Sequence, residues 1–329
     1  MRASIAGWGT SVPEQRVTNA DLEARVDTSD EWIVERTGIR ERRVAGPDET
    51  TASLAVEAGT AAIKQAGITP EDVDLLIVAS ATPEQPIPHT GAFVGEGLGL
   101  RCGSFDLGAG CAGFVYELVT GAALLTAGHL DHVLVIGAET LSRVVDPNDR
   151  GTCILFGDGA AAVLLEKSPD DAPGVLAWDL GCDGSATGLL GMPAGGSRLP
   201  TSPETIAAGL HYIKMQGQEV FRRAVRAVVD SARLTLERAG LTADDVDWFI
   251  PHQANLRIIE AAASRLKIPM ERTIVNIERY GNTSAASIPL AMAEAADDGR
   301  IKTGDVLLLS GFGAGMTWAS AALRWGRAA

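Results

Sequence analysis

Two rhythms of hydrophobic and polar positions alternate along this chain. Over residues 51–66 the apolar side chains fall three and four apart, which predicts a helix with one buried face. The run Val73–Ala79 that follows is almost unbroken in its hydrophobicity and predicts a short strand covered on both sides. The same reading predicts a helix over 111–127 and a strand over 132–138. Further on it predicts a long helix over 216–239 and a strand over 246–250. Helices over 254–266 and 284–297 and a strand over 305–310 complete it. Residues 1–9 read as a short strand and a turn. Short apolar runs between helical periods mean sheets covered by helices, an α/β fold.

The pattern repeats. Ala66–Gly67–Ile68–Thr69–Pro70–Glu71–Asp72–Val73–Asp74 returns as Ala239–Gly240–Leu241–Thr242–Ala243–Asp244–Asp245–Val246–Asp247, a shift of 173 residues. The same shift lays Val133–Ile136 on Val306–Leu309 and Gly108–Ala112 on Gly281–Ala285. Shared turn chemistry explains one such match but not a common register. Two related halves, 1–172 and 173–329, are expected to pack as a pseudo-dimer. The polar turn Asp170–Gly174 lies at the seam. Loops that correspond in the two halves should then meet. This sets Asn282, in the second half, near Cys111, in the first.

Composition narrows the function classes. The 329 residues suffice for two domains or one large α/β body, and the hydrophobic fraction of 46% is ordinary for a soluble protein. No apolar stretch approaches the ~18–20 residues of a membrane span. The N-terminus lacks a signal-peptide pattern, so a cytoplasmic location is expected. A net charge of −14 argues against general nucleic-acid binding. The four cysteines (102, 111, 153 and 182) form no C-x-x-C pair and no ligand spacing with the five histidines, which speaks against a metal site or a disulfide framework. Gly7–Trp8–Gly9–Thr10–Ser11–Val12 fails the dinucleotide fingerprint at its third glycine.

Four places carry candidate chemistry. Cys111 stands in Gly108–Ala109–Gly110–Cys111–Ala112–Gly113, where a glycine-rich turn enters a helix. Small neighbours admit a substrate, and the helix start favours thiolate over thiol. A small core residue at a tight turn is the competing reading, and the flanking glycines favour the nucleophile. His252 follows the strand 246–250, where α/β folds gather ligands. A lone histidine at a strand end is also commonly structural. Asn282 suits a turn or a helix cap as well as a site. Gly311–Phe312–Gly313–Ala314–Gly315 is either a packing turn or a set of N–H donors for an oxyanion. A thiol, two side-chain donors and a glycine loop suit acyl-thioester chemistry.

These residues, with Thr28–Ser29–Asp30–Glu31–Trp32–Ile33–Val34–Glu35–Arg36–Thr37–Gly38 and Phe156–Gly157–Asp158–Gly159–Ala160, resemble the β-ketoacyl-acyl carrier protein synthase III family of the thiolase superfamily, over essentially the whole chain. The resemblance implies a duplicated thiolase-like fold with a layered αβαβα core. It implies catalysis by Cys111, His252 and Asn282, with the N–H groups of Cys111 and Ala314 as oxyanion hole. Cys111 would take an acyl group from acyl-CoA, and malonyl-acyl carrier protein would then condense with it after losing CO₂. Trp32 would stack on the CoA adenine with Arg150 opposite. Thr28, Arg36 and Thr37 would hold the phosphate or pantetheine region, and Gly217 and Asn255 would line the pantetheine channel. Phe156 and Phe312 belong to the same substrate channel. Arg222, Arg257 and Arg265 would face the acidic carrier protein. Ile87 would shape the acyl pocket of a partner subunit in a homodimer, and its modest size suits a longer or branched primer. No permanently bound cofactor, metal, nucleic acid or membrane is implied. A polyketide starter-unit synthase or an acyltransferase of the same fold remains the alternative. A CoA- or carrier-binding module without catalysis and a Cys-His hydrolase are more distant ones.

Overall fold

The computed structural model describes residues 1–327. Its first sheet is built from β1 (Arg2–Ser11), β2 (Leu75–Ala79), β3 (Gly103–Leu107), β4 (His132–Thr140) and β5 (Asp158–Ser168), in the order β1-β5-β4-β2-β3. β2 pairs in parallel with β3 and β4, and β5 pairs antiparallel with β4 and β1. The second sheet contains β6 (Gly174–Cys182), β7 (Trp248–Pro251), β8 (Val306–Gly313) and β9 (Thr317–Arg324), in the order β7-β8-β9-β6. β7 pairs in parallel with β8, and β9 pairs antiparallel with both β8 and β6. An isolated parallel bridge, Phe249 to Thr273, extends this sheet where β3 extends the first.

Helices cover both sheets and fill the space between them. The helices on the far sides are α2 (Thr51–Ala66) and α3 (Thr90–Leu98) on the first sheet and α5 (Gly217–Ala239) and α6 (Leu256–Leu266) on the second. The middle layer is α4 (Gly113–Thr126) and α7 (Ser287–Asp297), and α1 (Asp30–Thr37) lies to one side. Strand alternation explains the layering. Ile77, Val133 and Val135 face the middle layer with Phe114, Leu118, Ile288 and Met292, whereas Leu76, Val78, Leu134 and Ile136 face α2 and α3. In the second sheet Leu307 and Leu309 face inward and Leu308 faces α5 and α6. The result is the five-layer αβαβα arrangement.

The repeat is visible in detail. Gly67 and Gly240 end α2 and α5 in the left-handed conformation, at φ 76° and 67°. Thr69 and Thr242 then open matching short turns, each hydroxyl donating to an aspartate, Asp72 or Asp245, at 2.9 and 2.7 Å. The predicted helix over 111–127 begins as a 3-10 turn, Gly110–Ala112, and the one over 284–297 likewise begins at Ser284–Ala286. After β4 the two halves diverge. Residues 141–157 intervene before β5, whereas only 314–316 separate β8 from β9. No helix among the described residues is long and apolar enough to cross a membrane.

Candidate active site

The glycines around Cys111 are set by close backbone approach. Gly110 adopts φ +55°, and a Cβ there would lie 2.9 Å from the Ala314 backbone N. A Cβ on Gly313 would lie 2.5 Å from the Cys111 backbone N. The end of β8 is therefore pressed onto the cysteine turn, with the Cys111 and Ala314 amides side by side. Cys111 is 9% exposed, and burial pushes its thiol up to about 12, with the Ser284 hydroxyl pulling weakly the other way. Desolvation opposes the helix start, which by itself would favour the thiolate.

His252 leaves the end of β7, its N–H donating to Ser310 O at 2.8 Å. It is 2% exposed and packs edge-on against Phe312, with ring centroids 5.4 Å apart. Nδ1 lies 2.6 Å from the Ser287 hydroxyl, which also accepts the Gln253 N–H. Nε2 is buried without a partner. Burial holds the imidazole down to about 3, so it is neutral at physiological pH. Asn282 is fixed by its own main chain. Its N–H donates to Leu155 O at 2.8 Å, and its O accepts from Gly157 N at 3.0 Å. Its Oδ1 accepts from Ser284 N at 2.8 Å, and Nδ2 makes no hydrogen bond among the described residues.

A cavity of about 700 Å³ joins these groups. Cys111, His252, Asn282, Phe156 and Phe312 share it with Trp32, Arg36, Thr37, Gly217, Asn255, Arg222 and Arg257. A second cavity of about 150 Å³ also reaches Cys111, and Leu141, Val144, Ile213 and Ala314 line it with Phe156. Other expected residues lie outside these cavities or line them with their polar atoms engaged. Thr28 and Arg265 line neither cavity, and Arg265 is exposed at the far end of α6 from Arg257. Ile87 is 85% exposed and lines neither cavity of its own chain. The Thr37 hydroxyl is spent on the backbone, donating to Ile33 O at 2.7 Å and accepting from Ile39 N at 3.0 Å. Asn255 caps α6 through Oδ1 and donates Nδ2 to Arg36 O at 2.9 Å, so both ends of its amide are engaged.

Trp32 is flanked by two guanidinium groups. The Arg150 guanidinium lies 4.8 Å from its ring centroid, and Arg36 is equally near. Arg150 is held there by Asp27 O at 2.8 Å. An adenine between Trp32 and Arg150 therefore requires Arg150 to lift away. Among the walls absent from the sequence reading are Leu190, Met215 and Phe221. Leu190 and Met215 face each other on a ladder of two residue pairs, too short to leave a periodic signal. Among the described residues no group of three or more His, Cys, Asp or Glu could hold a metal ion.

Comparison with known proteins fits this geometry. Residues 105–184 match the family described as 3-oxoacyl-[acyl-carrier-protein (ACP)] synthase III, and residues 236–325 match its C-terminal family. A β-ketoacyl-[acyl-carrier-protein] synthase III of Roseiflexus castenholzii is 50% identical over 98% of both chains. The crystal structure of the Thermus thermophilus synthase III superposes with a TM-score of 0.92 at 48% identity, covering 98% of this chain and 99% of that one. The priming β-ketosynthase of the R1128 polyketide pathway has a TM-score of 0.91 at 37% identity, with 99% and 97% covered. With half its residues shared along nearly its full length, and the cysteine turn inside one matched segment and His252 and Asn282 inside the other, this chain belongs to the 3-oxoacyl-[acyl-carrier-protein] synthase III family.

Proposed function

We propose that this acyltransferase of the synthase III family primes fatty-acid synthesis by loading an acyl group from acyl-CoA onto Cys111 and condensing it with malonyl-acyl carrier protein. The observation that carries the reading is the shared cavity. A buried thiol, the unpartnered Nε2 of His252 and the free Nδ2 of Asn282 all face it. Cys111 Sγ attacks the thioester carbonyl, and CoA leaves with the thiol's proton in net balance. The Cys111 and Ala314 N–H groups hold the tetrahedral oxyanion, and a donor of this kind is worth about 2.7–4 kcal/mol. The acyl chain then occupies the apolar cavity beside Leu141, Val144 and Ile213.

Malonyl-acyl carrier protein follows along the channel past Phe156 and Phe312. As CO₂ departs, negative charge develops on the thioester oxygen. In the tautomer this step needs, the Ser287 hydroxyl donates to Nδ1 and the proton sits on Nε2, so His252 and Asn282 offer two donors to that oxygen. The carbanion attacks the acyl carbonyl, expels the Cys111 thiolate and yields 3-oxoacyl-acyl carrier protein. Arg222 and Arg257 at the mouth suit an acidic carrier protein, and Trp32, Arg36 and Arg150 suit the CoA nucleotide. The enzyme works in the cytoplasm as a homodimer in which Ile87 of each subunit closes the other's acyl cavity. The polyketide-priming relative is the less similar one, so the fatty-acid role is preferred.

The test is to incubate the protein with a panel of acyl-CoAs, read the mass added at Cys111, then add malonyl-acyl carrier protein. Acylation lost in Cys111→Ala, followed in the unaltered enzyme by release of CO₂ and a 3-oxoacyl product, is expected. Acyl-CoA hydrolysis without a condensed product would refute the reading.

A further inference from the structure

Arg42 is the largest side chain buried almost completely in the fold, at 1% exposure. It lies on the short strand Glu41–Arg43, paired antiparallel with Arg16–Thr18. Among the described residues it forms no ion pair. Its guanidinium is held by neutral oxygens instead. Nη1 donates to Val17 O at 3.0 Å, and both Nη1 and Nη2 donate to Asn19 Oδ1 at 3.0 Å. Nη2 also donates to Ile154 O at 2.8 Å. Nε has no partner. Burial lowers the guanidinium to about 10, so it stays a cation at neutral pH.

A buried cation without a carboxylate is costly, and an apolar side chain of similar volume would fill the space as well. What an apolar side chain cannot do is tie the Val17–Asn19 segment to Ile154 by hydrogen bonds. Asn19 passes the link on to α1, its Nδ2 donating to Asp30 Oδ1 at 2.7 Å and to Ile39 O at 2.8 Å. Ile154 begins the segment whose next residues grip Asn282: Leu155 O accepts from Asn282 N, and Gly157 N donates to Asn282 O. Phe156 and Asn282 form an isolated parallel bridge there. The Arg42 stem packs beside the same pair. A Cβ on Gly157 would lie 3.2 Å from Arg42 Cβ, and one on Gly281 3.4 Å.

We propose that Arg42 is a positioning residue for the decarboxylation step, holding Asn282 in place through the Ile154–Gly157 segment. The inference rests on the function proposed above, in which Asn282 donates to the developing enolate. Cys111 itself is carried by a different segment, packed against the end of β8; because Ile154, Leu155 and Phe156 of the clamped segment also line its cavity, the two half-reactions are compared as kcat at saturating substrate. Loss of Arg42 should therefore separate the two half-reactions.

The experiment compares full-length Arg42→Met, Arg42→Lys and unaltered enzyme well below each protein's unfolding temperature. One assay follows acylation of Cys111 by acetyl-CoA through intact mass, the other release of CO₂ from malonyl-acyl carrier protein. A displacement of about 1 Å at a reacting group costs up to about 100-fold. Arg42→Met is expected to lower kcat for decarboxylation by about 10- to 100-fold while acylation stays within about threefold. Arg42→Lys, which keeps the charge but not the fork, should recover part of the loss. Equal loss in both half-reactions, or no loss in either, overturns the proposal. If Arg42→Met does not fold, the same split or its absence in Arg42→Lys decides. An unaltered protein inactive in both assays would remove the functional reading and this inference with it. Active unaltered protein with unsplit variants would remove this inference alone.

Discussion

Burial of His252 has a measurable consequence for stability. The imidazole is 2% exposed, and burial alone holds it down to about 3 against an ordinary value of 6.5. The folded protein keeps it neutral, while the unfolded chain protonates it below about pH 6.5. The unfolded state then binds more protons, so stability is fully present above that pH and is lost as pH falls. Each pH unit below the unfolded value costs about 1.4 kcal/mol until the folded group itself titrates. Between pH 7.5 and pH 5 the loss amounts to about 2 kcal/mol. His252→Gln removes the titration and leaves every other group in place.

Denaturant unfolding of both proteins at pH 7.5 and pH 5, at one protein concentration, isolates the difference. The unaltered protein should lose about 2 kcal/mol more than the variant on acidification. Decarboxylation of malonyl-acyl carrier protein by the unaltered enzyme should show no inflection near pH 6.5. Parallel stability profiles, or a His252 resonance titrating near pH 6.5, would refute the reasoning.

Other consequences follow from the same buried groups and close contacts. Glu117 is completely buried, and burial raises it well above 4.5 against the opposing pull of the Ala79 and Ile136 backbone. The folded state then holds the proton that the unfolded chain releases. Relative to Glu117→Gln, the unaltered protein should lose about 1.4 kcal/mol of stability per pH unit above pH 4.5 for as long as the acid stays neutral; equal slopes would count against it. With its thiol raised to about 12, Cys111 should be alkylated by iodoacetamide at a rate rising about tenfold per pH unit from pH 7 to 9, and a plateau near pH 7 would show an activated thiolate instead. Gly313→Ala puts a methyl 2.5 Å from the Cys111 backbone N and should slow acyl loading at least about 100-fold; loading at the normal rate would show that the turn yields. Ile213→Trp should keep acetyl loading and lose hexanoyl loading, since each methylene excluded from the cavity forfeits about 0.8 kcal/mol, or about fourfold; unchanged chain-length preference would place the acyl group elsewhere.

What could be read from the chain and what could not divides along a physical line. Strands β2, β4, β7 and β8 are legible because both their faces are buried, which leaves Val, Leu and Ile runs in β2, β4 and β8 and Trp248–Phe249–Ile250 in β7. Strands β5 and β9 are buried too, but Ala160–Ala161–Ala162 and Ala319–Ser320–Ala321–Ala322 carry little β-propensity, and only their neighbours in the sheet make them strands. The register of 173 residues brought Asn282 to Cys111 because those loops belong to the repeated frame. It fails at residues 141–157, where the first half departs from the second. That segment supplies Ile154, Leu155 and Phe156, a wall of the cavity, and with Gly157 the grip on Asn282. Arg42 was invisible for a related reason. In a run of charged residues, Arg40–Glu41–Arg42–Arg43, nothing marks one arginine as buried until a partner strand and three distant oxygens are placed around it. The groups proposed to react sit on the duplicated scaffold and are readable from it. What aims them is inserted between its strands and is readable only from the fold.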